Sequence, residues 1–385
     1  MGHRTRPVEN LVMSGSWTAS REDSSLWYGR RVLVTGHSGF KGTWLTLWLA
    51  QLGAEVIGVS LDPPSAPSMA QVIGDVSHRA YRADITEPAQ IATVFEHEQP
   101  DIVFHAAAQP LVGLSYEDPI HTYQVNAMGT ANLLEAIRNT ASVRVVVIVT
   151  SDKCYDNREW DYPYRETDRL GGFDPYSASK ACAEIIVDSY RRAYFAAGQT
   201  VGIATVRAGN VIGGGDWSSD RLVPDVVRSL QRGHPVHLRR PEAVRPWQHV
   251  LDPLRGYLLL AENLWREPQR YSEAWNFGPN PTDQLSVRDV VNQLVGRWGT
   301  GTSEVLPEPP WHDAGLLALD STKSRRRLGW RPVWTAAEAI SRAIAWYQRY
   351  YEAPDDATSL REFTLSQLRD FMRHSTTTQR SGFYD

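Results

Sequence analysis

Cysteine is scarce in this chain of 385 residues, which contains only Cys154 and Cys182. Two cysteines cannot form a disulfide framework, and a zinc site needs more ligands at close spacing. The sequence therefore predicts a reducing, cytoplasmic environment and no metal site.

Long apolar runs and an excess of positive charge are also absent. No stretch approaches the roughly 20 apolar residues that a membrane helix needs, and residues 1–27 lack the apolar segment of a signal peptide. Forty basic residues stand against 44 acidic ones, so no cationic surface is expected to hold nucleic acid or an anionic membrane. We therefore expect a small-molecule partner, with no nucleic acid and no membrane.

Lysine is the third rarity, because only four of the 40 basic residues are lysines. They are Lys41, Lys153, Lys180 and Lys323. Since arginine supplies nearly all other positive charge, each lysine is a candidate for a specific chemical role.

What the chain does contain is an alternation of strand and helix patterns. Short β-branched runs at 31–35 and 55–60 flank a helical pattern at 40–52, and the same order returns further along. Strands are predicted near 102–105 and 143–150, and helices near 91–97, 122–138 and 177–195. This order predicts an α/β fold, namely a Rossmann-type doubly wound parallel sheet with a smaller mixed α/β lobe for the substrate.

The turn between the first strand and the first helix is rich in glycine, with the pattern Thr-Gly-His-Ser-Gly-Phe-Lys-Gly from position 35 to 42. Glycines at such a turn let the backbone approach a pyrophosphate, which the helix N-terminus then faces. An ordinary strand-to-helix turn is the alternative. The candidate dinucleotide contacts here are Gly36, Ser38, Gly39, Phe40, Lys41 and Gly42.

Later strand ends offer further candidates for binding the dinucleotide. Asp62 after the second strand can accept hydrogen bonds from a ribose and repel a 2′-phosphate, which favours NAD over NADP, although a turn role is equally compatible. Asp84 and Ile85 can meet the adenine, unless Asp84 only caps a helix. His105, Ala106 and Ala107 end the fourth strand, where small residues admit a flat ring or simply pack closely.

The predicted organisation follows from these patterns. Residues 1–26 form a polar N-terminal extension, and residues 27–208, joined by 236–280, form the NAD-binding domain. Residues 209–235 and 281–352 form the smaller lobe that binds the substrate, and residues 353–385 form a C-terminal extension.

Tyr176 and Lys180 stand four residues apart, on one face of a predicted helix. A phenol serves as a base near neutral pH only if a cation lowers its pKa, and Lys180 is expected to supply that cation. With the glycine turn upstream, this pair resembles the extended short-chain dehydrogenase/reductase superfamily.

Ser151, Asp152 and Lys153 follow the fifth strand, at the sheet edge where ligands bind in such folds. Ser151 suits hydrogen bonding to an oxidised hydroxyl, and the adjacent acid and amine add further proton chemistry. The alternative is an exposed turn with an Asp–Lys pair.

Longer segments narrow the resemblance. Residues 150–160, beginning Thr-Ser-Asp-Lys-Cys-Tyr, together with 207–217 and 245–250, which reads Arg-Pro-Trp-Gln-His-Val, resemble the CDP-glucose 4,6-dehydratase family of NAD-dependent sugar-nucleotide dehydratases. The resemblance covers about 27–351. Ala178 departs from the asparagine that is common between the tyrosine and the lysine.

The resemblance implies NAD as cofactor and CDP-glucose as substrate. Tyr176 would take the C4 hydroxyl proton while Ser151 orients the oxygen, and Lys153 and Asp152 would serve as base at C5 and acid at the C6 oxygen. Lys180 completes the catalytic set. The substrate-binding candidates are Gln109, Asn210, Asp216, Trp217, Arg221, Arg245, Trp247 and His249, although both tryptophans equally suit core packing.

Two other functions remain open at this stage. A sugar-nucleotide epimerase or decarboxylase on the same fold needs Tyr176 and Lys180 but not the acid and amine after Ser151. A regulatory protein that senses NAD needs none of these proton-transferring groups. The resemblance further implies pairing of helices 122–138 and 177–195 with those of a second copy, in a homodimer or a dimer of dimers.

Overall fold

The computed structural model describes residues 26–63, 65–196, 201–283, 285–306 and 315–381, apart from the side chains of 377–381. Residues 1–25 of the predicted N-terminal extension lie outside this part of the chain. No helix in the described ranges is both long enough and apolar enough to cross a bilayer.

A parallel sheet of seven strands forms the centre of the molecule. The strands of the described residues, including short ones outside this sheet, are in chain order β1 (Arg31–Thr35), β2 (Glu55–Ser60), β3 (Arg79–Arg82), β4 (Ile102–His105), β5 (Val145–Val149), β6 (Gly202–Ala208), β7 (Val211–Ile212), β8 (Val236–Leu238), β9 (Val244–Arg245), β10 (Gln248–His249), β11 (Ala274–Phe277), β12 (Leu285–Ser286) and β13 (Ser303–Val305). The central sheet has the order β11-β6-β5-β4-β1-β2-β3. Strand order reverses between β1 and β4, whose Thr35 and His105 are paired, and ligands bind at such a switch point.

The helices lie on both faces of this sheet and in the smaller lobe. They are α1 (Phe40–Gln51), α2 (Met69–Ile73), α3 (Pro88–Glu98), α4 (Val112–Glu117), α5 (Pro119–Tyr123), α6 (Gly129–Arg138), α7 (Pro175–Ala193), α8 (Leu222–Gln231), α9 (Leu251–Arg266), α10 (Pro268–Tyr271), α11 (Val287–Trp298), α12 (Thr322–Leu328), α13 (Ala336–Glu352) and α14 (Ala357–Ser381). The helix predicted over 122–138 is interrupted by a π-helical turn at Gln124–Met128.

Alternation along β1 shows why helices cover both faces. Val32 and Val34 pack with Trp44 of α1 in one core, whereas Leu33 packs with Val103 in a second core on the opposite face. All of these side chains are fully buried, as expected of a parallel strand between two helical layers. The predicted doubly wound α/β fold is therefore confirmed.

The smaller lobe is mixed, as predicted. β13 pairs with β8 in parallel and β12 pairs with β9 antiparallel, and α8 and α11 pack beside them. The exact domain limits given above stay a prediction.

The chain after residue 353 is more than a polar extension. Helix α14 buries Leu360, Leu368 and Phe371, and the Phe371 ring meets Trp48 and Trp334 edge-on at centroid distances of 5.6 and 4.9 Å. Widely spaced apolar residues on one face of a polar helix are sufficient for docking, and composition alone does not reveal them.

Candidate active site

A cleft of about 1110 Å³ opens at the carboxyl ends of the central strands. Residues at or just after the ends of β1, β2, β4 and β5 line it, together with residues of α8 and β8 from the smaller lobe. This is the position in which open α/β sheets bind ligands.

The glycine turn is shaped for a closely approaching anion. Gly36 has φ +72°, and a Cβ there would lie 2.7 Å from the backbone nitrogen of Ala107. A Cβ on Gly42 would lie 2.0 Å from the Gly36 carbonyl oxygen. Gly39 caps α1 without a side-chain hydrogen bond to the first-turn N–H groups, which suits a pyrophosphate at this N-terminus. All six predicted residues of the turn line the cleft.

Asp62 and Asp84 both reach the cleft. Asp62 is exposed, and Arg82 donates to it from Nη2 at 2.9 Å and from Nε at 3.2 Å. Asp84 accepts hydrogen bonds from the backbone N–H and the hydroxyl of Thr86, both at 2.8 Å, so it also organises its own turn. Ile85 lines the same wall.

The structure does not bring His105 to the cleft, although Ala106 and Ala107 line it. The His105 ring is buried between the hydroxyls of Thr35 at 2.7 Å and Thr130 at 3.2 Å. Burial, with a further contribution from Lys180, lowers the pKa of His105 to about 3. Its role is to join β1, β4 and α6 in the interior.

The predicted catalytic side chains come from two adjoining elements. Strand β5 ends at Val149, and the Ser151 hydroxyl then accepts the Lys153 N–H at 3.2 Å, which caps a short 3₁₀ turn at Asp152–Cys154. On α7, Asp174 accepts the Ser177 N–H at 2.9 Å and caps the helix, so that Tyr176 lies in its first turn. Ser151, Asp152, Lys153, Tyr176 and Lys180 all line the cleft.

Asp152 is the buried acid of this group. The Ser151 hydroxyl donates to its Oδ1 at 3.0 Å, and its Oδ2 has no hydrogen-bond partner in the described part of the chain. Burial raises the pKa of Asp152, against the opposing effects of Lys153, Ser151 and Arg245. Burial therefore shifts this carboxyl group toward its protonated form.

Tyr176 and Lys180 lie on one face of α7, as predicted. Burial raises the pKa of Tyr176 to about 12, opposed by the hydrogen bond with Ser151 and by the charge of Arg221. We expected Lys180 to lower the pKa of Tyr176. The pKa is raised instead, because desolvation outweighs the nearby charges. Lys180 donates to the Val149 carbonyl at 3.4 Å, and burial lowers its pKa to about 8.

Lys41 reaches the same interior from the second residue of α1. Burial lowers its pKa to about 7, and the charges of Arg221 and Lys180 add to that effect. Its ammonium lies 5.8 Å from the ring centroid of Tyr257. Three of the four lysines of the chain, Lys41, Lys153 and Lys180, therefore line one cleft.

Six of the eight predicted substrate contacts line the cleft, namely Gln109, Asn210, Asp216, Arg221, Arg245 and Trp247. Arg221 pairs with Asp216 at 3.6 Å. The Arg245 guanidinium donates to the carbonyl groups of Val244 and Gly315, both at 3.2 Å.

Trp217 and His249 do not reach the cleft. Trp217 packs against Trp346 and Tyr350, with centroid distances of 5.5 and 5.0 Å, and His249 lies edge-on to Trp334 at 4.7 Å. Both side chains are buried in the core, where they pack against aromatic rings.

The sequence did not predict Glu184 or a set of basic residues in the smaller lobe. Glu184 lies four residues after Lys180 and accepts a hydrogen bond from Thr150, which precedes Ser151 and the 3₁₀ turn at Asp152–Cys154. A carboxylate on the same helical face as Tyr176 and Lys180 was the available signal.

The basic residues extend the wall of the cleft in the smaller lobe: Arg228, Arg232, His234, His237, Arg239 and Arg240. Because arginine is abundant throughout the chain, the sequence did not distinguish these positions.

The fold and this cleft define a nucleotide-dependent enzyme of the doubly wound α/β class. The model of the NAD dependent epimerase/dehydratase family matches residues 32–278, and the chain belongs to this family. The cofactor is therefore NAD.

Individual relatives agree with this assignment. The chain is 46% identical over 340 residues to CDP-glucose 4,6-dehydratase of Salmonella typhimurium, covering 86% of this chain and 94% of that protein. The dTDP-glucose 4,6-dehydratase DesIV of Streptomyces venezuelae, solved as a double mutant with NAD, superposes with a TM-score of 0.71 at 25% identity, over 84% of this chain and 98% of that one. UDP-glucose 4-epimerase of Thermus thermophilus in complex with NAD gives 0.71 at 25% identity, over 83% and 99%.

Proposed function

We propose that this protein is a hydro-lyase that converts CDP-D-glucose into CDP-4-dehydro-6-deoxy-D-glucose and water. The observation that carries the proposal is the shared cleft of Ser151, Tyr176 and Lys180 with a buried acid, Asp152, and an amine, Lys153. Oxidation and reduction alone need only the first three, whereas elimination of water needs an additional base and acid.

The first step is oxidation of the hexose at C4. Tyr176 accepts the proton of the C4 hydroxyl, and the Ser151 hydroxyl orients that oxygen. Gly36, Gly39, Gly42 and Asp62 would hold NAD, which when bound would supply the two-electron acceptor for the hydride of C4 and the donor of that hydride to C6. Lys180, held by the Val149 carbonyl, stabilises the developing tyrosinate.

The second step is loss of water across C5 and C6. A ketone at C4 acidifies the hydrogen at C5, so Lys153 removes that proton. The C6 hydroxyl leaves as water when Asp152 donates its proton. Burial keeps Asp152 protonated to a higher pH than an exposed carboxyl group, which suits a general acid. Addition of a proton at C5 and of the hydride that NAD would supply at C6 completes the product.

The nucleotide end of the substrate faces the smaller lobe in this proposal. Arg221 and Arg245, with the Asn210 amide, are positioned along the cleft to bind the two phosphates, since guanidinium groups match phosphate oxygens. The choice of cytidine follows from the name of the Salmonella typhimurium relative.

A panel of nucleotide sugars tests the proposal. Purified protein incubated with CDP-glucose, dTDP-glucose, UDP-glucose and GDP-mannose should form a 4-keto-6-deoxy product from CDP-glucose in preference to the others. Interconversion of UDP-glucose and UDP-galactose without loss of water would instead identify an epimerase and overturn the proposal.

The proposed assembly is a homodimer, alone or within a dimer of dimers. Large apolar side chains are unusually exposed on α5, on the π-helical turn and in the region of α7. Each of the following is more than half exposed: Ile120, Met128, Ile185 and Tyr194. Light scattering should give twice or four times the monomer mass for the wild type and a lower mass for Ile185→Glu with Met128→Glu. We also infer a cytoplasmic location, because Cys154 and Cys182 are both free thiols.

A further inference from the structure

The Glu184 carboxylate is fully buried beneath the catalytic cleft and accepts four hydrogen bonds. Thr150 donates its hydroxyl hydrogen to Oε1 at 2.5 Å, and Thr205 donates to Oε2 at 2.7 Å. Arg207 adds two more bonds, from Nε and Nη2, each at 2.8 Å. All four acceptor positions of the carboxylate are thereby occupied.

These bonds connect three elements that must keep a fixed relation for catalysis. Thr150 lies between the end of β5 and the turn that carries Ser151 and Asp152. Glu184 lies one helical turn beyond Lys180 and two beyond Tyr176, so the three share a face of α7. Arg207 lies on β6 and also donates to the Tyr155 hydroxyl at 2.8 Å, just after the catalytic turn.

We propose that Glu184 is a positioning residue that ties the turn of Ser151 to the helix of Tyr176 and Lys180 and that holds Lys180 in its cationic form. The catalytic roles of those residues rest on the proposed function, whereas the effect of Glu184 on the charge of Lys180 does not. Thr150 and Arg207 are the partners through which it acts.

The electrostatic part of this role follows from the groups around Lys180. Burial lowers the pKa of Lys180 to about 8, and Glu184 is the strongest group that opposes this lowering. The other titratable groups that face Lys180 are Cys154 from the catalytic turn, Lys41 from α1 and His105 from β4. Burial also opposes ionisation of Glu184, but Arg207 and the two hydroxyls lower its pKa, so the carboxylate stays charged.

The scarcity of lysine makes the test direct, because protein labelled with ¹³C at lysine Cε has only four side-chain signals. The Lys180 signal is assigned with Lys180→Arg and followed against pH. Glu184→Gln keeps the shape but removes the charge, and should lower the titration midpoint of Lys180 by about one pH unit, within the range that a close opposite charge produces.

Asp188→Asn is the matched control, because Asp188 lies one turn further along α7 and pairs with Arg192 at the surface. Its Lys180 midpoint should equal that of the wild type. If the Lys180 midpoint in Glu184→Gln equals that of the wild type, the electrostatic role is refuted whatever the substrate proves to be.

Thr150→Val tests the positioning role and remains decisive if Glu184→Gln does not fold. It removes one hydroxyl bond to Glu184 and no charge, so the Lys180 midpoint should not change. With CDP-glucose, kcat should fall about tenfold while KM stays close to the wild-type value, as expected for loss of one hydrogen bond to a charged group. An unchanged kcat would refute the positioning role, whereas absence of turnover in the wild type would refute the proposed function instead.

Discussion

The Ser151 hydroxyl donates a hydrogen bond to Oδ1 of Asp152 at 3.0 Å, while Oδ2 of the same carboxyl group is buried without a partner in the described residues. A carboxylate left in this state loses most of its hydration, so burial raises the pKa of Asp152. In the proposed reaction the unpartnered oxygen carries the proton that Asp152 donates to the C6 hydroxyl.

Asp152→Asn should separate removal of the C5 proton from loss of the C6 hydroxyl. The amide has the same shape but does not act as a general acid, and kcat should fall roughly 10²- to 10⁴-fold. The C5 hydrogen should still exchange with deuterated solvent, as mass spectrometry of recovered substrate would show. Normal turnover in this variant would rule out Asp152 as the acid.

Lys153→Ala and Tyr176→Phe should stop the reaction at different stages. Tyr176→Phe lacks the proton acceptor for C4 oxidation, so neither product nor absorbance from reduced nicotinamide is expected. Lys153→Ala should oxidise C4 but leave the C5 hydrogen unexchanged, so that reduced nicotinamide accumulates on the enzyme. Rapid absorbance measurements after mixing with CDP-glucose distinguish the two, and identical behaviour of both variants would contradict the assignment.

A deuterium label at C4 of the substrate should reappear at C6 of the product. This follows because one bound cofactor both removes and returns the hydride within a single turnover. NMR of the product measures the transfer, and loss of the label to solvent would count against the proposed reaction.

Asp62→Asn should weaken the preference for NAD over NADP. In the wild type Nη2 of Arg82 donates a hydrogen bond to Oδ2 of Asp62 at 2.9 Å, and the Asp62 carboxylate repels an added phosphate. Without that charge Arg82 is available to a 2′-phosphate, and the ratio of the two dissociation constants should move toward NADP by about tenfold. Calorimetric titration gives both constants. Asp75→Asn, which changes an acid beside His37, is the control and should leave the ratio as in the wild type.

Lys41→Met should stabilise the protein freed of nucleotide, and more at pH 6 than at pH 9. Burial lowers the pKa of Lys41 to about 7 in the folded state, so folding is penalised while the side chain is protonated and the penalty shrinks as pH rises through 7. The gain in unfolding free energy should be larger at pH 6 by about 2 kcal/mol. Urea unfolding at both pH values measures it. Lys41→Arg keeps its charge and should show no gain at either pH, and an equal gain for Met at both would refute the pKa shift.

Much of the fold followed from local patterns. Strands β1, β2 and β4 begin and end where the β-branched runs predict, and α1 covers Phe40–Gln51 of the predicted range 40–52. Helix α14 did not follow, because its few apolar residues acquire meaning only when Trp48 and Trp334 lie opposite Phe371.

By itself the sequence determined the α/β alternation, the glycine turn, and the spacing of Ser151, Tyr176 and Lys180. Those features depend on hydrogen bonds and side-chain directions among near neighbours, which a chain carries wherever it is placed. Only the tertiary structure decided that His249 is enclosed by aromatic rings and that Glu184 joins α7 to β6 and to Thr150 after β5. Whether a polar side chain faces a cleft or the interior depends on which distant segments pack against it, and burial then sets its charge.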